Sequence, residues 1–241
     1  MTRGIYAGAT GMYAQQQALD VIANNLANAD TIGFKSDRLT FREALDRSVY
    51  SPGEDHPRLV GRLGGGAVVE GAAFTPDQGP ALATGGRMDV LLDEDAFLSV
   101  QSPQGVRYTK NGSLQLDASR KLVTRDGLPV LGEKGEITIP SGATPEIDPS
   151  GNVRADGTVI DRLAIVSGQL TKEGNGLYSG EAQPVANPTL MVGHLEGSNV
   201  NAIREVVAMI EVMRVFEANQ KVVQAHDDAL RRAISDLAQI E

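Results

Sequence analysis

A mixed α and β fold, mainly β, with an all-β centre flanked by long N- and C-terminal helices, follows from three observations. Near the N-terminus Ile5, Met12, Leu19 and Leu26 recur every seven residues. Near the C-terminus Met209, Phe216, Val223, Leu230 and Leu237 do the same. Between these stripes, short apolar runs alternate with turn signals, among them Asn111-Gly112, Asp126-Gly127 and Asp156-Gly157.

The first stripe predicts a helix from Ala9 to Asn28, about 30 Å long at 1.5 Å per residue. Ala9, Ile22, Ala23 and Ala29 fill a second seam that Gln16 interrupts. Gly8 and Gly11 lower helix propensity, so fraying is expected in the first turns. Asn24, Asn25, Asn28 and Asp30 crowd the far end, where Gly33 supplies a residue tolerant of positive φ.

From Ser36 to Thr75 the pattern weakens. TFREALDRSVY reads as one short helix, SPGEDHPRLVGRLGGG as loop, and GAVVEGAAF as strand or extended connection. From Pro76 to Pro188 the runs MDVLL, FLSVQS, VRYTKNG, SLQLD, KLVTRDG, NVRADG, TVIDRLAIVS and GLYSG read as closely spaced strands. Roughly 110 residues suffice for one core.

After Pro188 the helical pattern returns, with Ser198, Asn199 and Asn201 as N-cap candidates. Val206, Met213 and Ile234 form part of its second seam, broken by Gln220 and Asp227. From Val200 to Leu237 the helix would span about 57 Å. No element of the β centre can cover such a stripe, so another helix must. The expected organisation is helix 1–35, connector 36–75, β domain 76–190 and helix 191–241. The two ends would form one discontinuous helical domain, paired as a coiled-coil-like inner layer.

Composition excludes several function classes. A net charge of −9 weighs against a nucleic-acid backbone as partner. The absence of cysteine removes disulfides, thiolate metal sites and cysteine nucleophiles. No stretch approaches a membrane span, so no membrane insertion is expected, and the N-terminus lacks the apolar core of a cleaved signal peptide. His56, His194 and His226 lie far apart, and His226 reads as a solvated surface residue. Asp93-Glu94-Asp95 lacks the glycine and distal glutamate of a calcium loop. Gly64-Gly65-Gly66 lacks the Lys-Ser/Thr of a phosphate loop. No catalytic residue, cofactor or metal is assigned, and no enzyme activity is expected.

Three stretches carry a resemblance. GIYAGATGMYAQQQALDVIANNLANADTIGFK is similar to the N-terminal signature of the bacterial flagellar axial proteins of the rod and hook group. HLEGSNVNAIREVVAMIEVMRVFEANQKVV resembles their C-terminal signature. GGRMDVLLDEDAFLSVQSPQGVRYTKNGSLQLDASRKLVTRDGLPVLG resembles their shared middle segment. The match leaves out only about Leu39 to Ala73. Chain length, the short connector and the start TRGIYAGATGM favour the proximal-rod type over the distal-rod or hook type.

The resemblance implies a structural subunit of the periplasmic rod, exported through the flagellar type III apparatus without a cleaved signal. Its expected partners are other copies of itself, other rod proteins and the export apparatus. The implied assembly interface comprises Met12, Leu19, Ile22, Asn24, Asn25, Leu26, Asn28, Gly33, Phe34, Glu196, Ser198, Asn199, Val200, Met209, Met213, Phe216 and Val223. The seam residues among them should bury only on assembly, and the asparagines should form an amide ladder between subunits. The competing reading is a carbohydrate- or peptide-binding β domain with an intramolecular helical hairpin. Its scarce, scattered aromatics Phe97, Tyr108 and Tyr178 count against it.

Overall fold

The computed structural model describes residues 2–43, 47–50, 59–63 and 67–238. Two helices, α1 (Thr2–Ala27) and α2 (Ala202–Ala238), bracket a chain of short strands. The chain divides into two compact units. One holds Met1–Leu26, Asp37–Ala73 and Ala202–Glu241, and the other holds Ala27–Ser36 and Phe74–Asn201.

In the first unit α1 is helical through Gly4, Gly8 and Gly11, against the fraying that propensity predicts. The reason is packing. A Cβ built on Gly8 would lie 2.8 Å from Val223, and one on Gly11 would lie 3.2 Å from Asn219. One on Gly4 would collide with the His226 ring. As position rises along α1 it falls along α2, so the helices run antiparallel, and the glycines permit their close approach. The spacing 4, 8, 11 continues through Gln15, Ala18, Ile22 and Asn25, of which Ile22 and Asn25 are buried.

These contacts correct two expectations. His226 is half-buried over Gly4, not solvated. The second seam of α2 is Val212, Asn219 and His226, whereas Val206, Met213 and Ile234 are exposed. Polar Asn219 and His226 fit a seam because the residues opposite them carry no side chain. The side chain of Leu237 lies outside the described residues.

The expected short helix in TFREALDRSVY is instead two strands, Asp37–Glu43 and Arg47–Tyr50. The first pairs with Ala67–Phe74 and the second, antiparallel, with Leu59–Leu63. A helix there would leave both partner strands without a ladder for their backbone groups. His56 and Gly64-Gly65-Gly66 lie outside the described residues.

The second unit consists, in its described residues, of strands, turns and loops. Phe97–Ser102, Gly105–Thr109, Leu177–Pro184 and Ile165–Gly174 close a four-stranded barrel. A three-stranded antiparallel sheet (Pro145–Ile147, Asn152–Ala155, Thr158–Arg162) shares its core. Leu98, Val100, Leu122, Val130, Ile137, Ile139 and Val153 are among its most enclosed side chains.

Asp156-Gly157 turns a hairpin with both residues at positive φ, as the sequence indicates. Asn111-Gly112 does not: the Asn111 side chain accepts from the Ser113 amide, and the Gly112 carbonyl accepts from Val90. The longest hairpin turns instead at Asn175-Gly176, both at positive φ.

Candidate functional site

Two regions hold the residues expected at an interface: helix α2, and a buried polar cluster where the chain enters and leaves the β-rich unit. On α2, Met209, Phe216, Val223 and Leu230 are half-buried along the side that meets α1. Ile203, Val207 and Ile210 lie on the far side of the helix, Val206 and Met213 flank the seam, and all five are exposed, Ile203 by 78%. On α1, Tyr6 and Tyr13 stand seven residues apart and are each 65% exposed. Such a concentration of exposed apolar side chains on helices is uncommon in a chain that remains alone.

The expected interface residues therefore separate into classes. Met12, Leu19, Leu26, Met209, Phe216 and Val223 are already half-buried in the single chain. Ile22 is buried, Met213 exposed and Val200 half-buried. Asn25 is buried, and both ends of its amide are taken by the backbone of Asp37, at 2.9 and 3.0 Å. Asn24 donates to the Asp37 carboxylate, and Asn28 accepts from Thr31. These bonds stay within the chain. A buried amide cannot leave its partners without cost, so any intersubunit bond by Asn25 would have to compete with these.

Gly33, Phe34, Glu196 and Ser198 are likewise interior, so none offers a free face to a neighbour. They build an anchor instead. Lys35 and Glu196, each only 1% exposed, form an ion pair at 2.7 Å. The remaining Lys35 donors reach the carbonyls of Pro76 and Asp77. Glu196 Oε1 also accepts from the Gly79 amide at 3.0 Å. Its carbonyl accepts from Gly33. Asn199 accepts from the Ser36 amide at 2.7 Å and donates to the carbonyls of Thr75 and Asp77. Lys172 donates to the Lys35 carbonyl and stands 3.8 Å over the Phe34 ring.

A second lysine completes the cluster. Lys110 donates to the Asp93 carbonyl, lies 3.9 Å from Glu196 Oε2 and faces the Phe97 ring. Neither Lys35 nor Lys110 was singled out from sequence. Lys35 lies 161 residues from Glu196, so no local spacing relates them.

Burial lowers the Lys110 pKa from 10.5 to about 8; Glu196 opposes that shift and Lys35 adds to it. The unfolded chain holds this proton up to about 10.5, while the folded chain releases it near 8. Between those values the unfolded state binds more protons, so stability from this group rises with pH. Below about 8 the full cost stands, on the order of 3 kcal/mol. Lys110→Met is expected to raise stability at neutral pH by about 1–2 kcal/mol. Urea unfolding from pH 7 to 10.5 should show the gain shrinking as pH rises. A pH-independent gain, or a loss, would contradict the assignment.

A cleft of about 220 Å³ in the same unit is lined by Lys35, Phe74, Glu94, Asp95, Phe97 and the Ser167–Gln169 edge. Its one lysine is already committed to Glu196 and two carbonyls. Asp93-Glu94-Asp95 is an exposed turn. Among the described residues no group of His, Asp and Glu is placed to hold a metal.

Comparison with known proteins agrees with the three stretches. Residues 5–35 match the family described as "Flagella basal body rod protein", and residues 191–236 match "Flagellar basal body rod FlgEFG protein C-terminal". Residues 92–160 match "Flagellar hook protein FlgE/F/G D1 domain". The chain is 37% identical to the flagellar basal-body rod protein FlgF of Escherichia coli, over 97% of each chain. It is 31% identical to FlgG of Bacillus subtilis, over 98% of this chain and 99% of that one. It is 30% identical to FlgF of Caulobacter vibrioides over the whole of both. No helix among the described residues is long and apolar enough to cross a membrane. The chain belongs to the flagellar basal-body rod proteins, of FlgF/FlgG type, and is a structural component of the basal body.

Proposed function

We propose that this chain assembles with further copies of itself and with other rod proteins through the outer side of α2, and that the assembly transmits torque as part of the drive shaft. The observation that carries this is the exposed apolar set Ile203, Val207 and Ile210 on the far side of α2, with Val206 and Met213 at its flank. Burying it removes apolar surface at about 25 cal/mol per Å². A contact of one copy's α2 with a different surface of the next is heterologous and builds an open helix, the geometry of a shaft. In this reading the paired helices form a coiled-coil-like inner layer and an all-β domain forms the outer one. Delivery by the flagellar type III export apparatus completes the proposal. The extent of likeness to the E. coli FlgF sequence favours the proximal-rod type.

A deletion strain tests it. Wild-type protein should restore motility, and Ile203→Glu/Ile210→Glu should not, although that variant keeps the parent's melting temperature. Exposed sites tolerate the substitution in the monomer, so the loss would be one of assembly. Full motility with the double variant would overturn the proposal.

A further inference from the structure

The chain passes between its two units at 26/27, 36/37, 73/74 and 201/202. The last three passages lie beside one polar network. Ser36, Thr75 and Asn199 each stand at most two residues from their passage, and they are joined to one another. The Thr75 amide donates to Ser36 at 2.8 Å, and the Ser36 amide donates to Asn199. Asn199 donates back to Thr75, and its own amide reaches the Phe34 carbonyl. One layer deeper, Lys35 and Glu196 bind the same three segments, through Pro76, Asp77 and Gly79.

We infer that Lys35, Glu196 and Asn199 form a clamp that makes three separate chain passages leave the β-rich unit as one mechanical element. Three independent linkers would each yield in turn under load. Segments cross-bonded by buried, charge-assisted hydrogen bonds must open together or not at all. The residues act by positioning backbone. Each side chain bonds a segment other than its own, which packing of a single loop does not require. The load-bearing role rests on the rod reading; the clamp itself is a property of the isolated chain.

Hydrogen exchange read by mass spectrometry on the full-length monomer separates the two. In Glu196→Gln, the carboxylate that bridges Lys35 and the Gly79 amide is lost. Exchange should accelerate roughly ten-fold or more at Gly33–Ser36 and Thr75–Gly79 together, including the Ser36 and Thr75 amides that Glu196 never touches. Phe97–Ser102 should stay at the parent's rate. Acceleration confined to Gly79, or spread evenly through the barrel strands, would overturn the clamp. If Glu196→Gln does not fold, Asn199→Ala makes the converse test, with the Gly79 amide, which donates to Glu196, as the distant reporter. An unchanged Gly79 in that variant would overturn it equally. A clamp that passes while the motility test above fails would leave the clamp standing and remove only its mechanical use.

Discussion

Replacing Glu196 by Ala is expected to destabilise the protein by about 3–5 kcal/mol, the cost of stranding buried charge. Lys35 and Lys110 both face this carboxylate, and neither has solvent within reach. Without it, two ammonium groups confront each other across the space it leaves, with only backbone carbonyls to receive them. The Gly79 amide loses its acceptor as well. Equilibrium urea denaturation of parent and variant measures the loss. Adding Lys110→Met to Glu196→Ala should recover part of it, because the second uncompensated cation is removed. A loss below about 1 kcal/mol, typical of exposed ion pairs, would show that the cluster is hydrated and contradict its burial.

Gly33→Ala is expected to cost about 2–4 kcal/mol through two separate effects. Gly33 has φ of +68°, where a Cβ is strained. That Cβ would also lie 2.7–2.9 Å from backbone atoms of Lys110 and Asn111, which cannot swing aside as a side chain would. The segment would have to lift, and its amide bond to the Glu196 carbonyl would go with it. Gly127→Ala is the control. Its φ is +82°, yet nothing lies within 4 Å of the added methyl, so it carries strain alone, about 1 kcal/mol. If thermal unfolding shows Gly33→Ala no worse than Gly127→Ala, the packing of this segment on Lys110 is wrong.

Both helices and most strands were legible in the sequence, because heptad spacing and turn dipeptides are local signals. FLSVQS matches the strand Phe97–Ser102, and Asp156-Gly157 turns the hairpin it marks. What was illegible depended on the partner. Gly8 and Gly11 look like helix weaknesses until Val223 and Asn219 occupy the space beside them. Asn219 and His226 are polar and do not read as seam residues until glycines stand opposite. The stretch after Ser36 has helix formers such as Arg42 and Glu43, yet strand pairing over longer separations overrides their propensity.

At the site, the outer residues of α2 were partly visible through Met213. Ile203, Val207 and Ile210 lie outside the sevenfold seam, so that pattern gives them no signal. Ser198, Asn199, Glu196, Gly33 and Phe34 stood out through the resemblance, which does not distinguish a contact between subunits from a clamp within one. Lys35 and Lys110 carried no sign of burial. Lysine is ordinarily exposed, and only a fold that brings position 196 beside position 35 changes that.

The most direct test of assembly through α2 is a photo-activatable cross-linking residue placed at Ile210 in flagellated cells. The stripe predicts adducts between this chain and another rod subunit, and none from the same residue at buried Ile22. Adducts absent at Ile210 in cells that swim normally would show that this side of the helix meets no neighbour, and the account of assembly would fail.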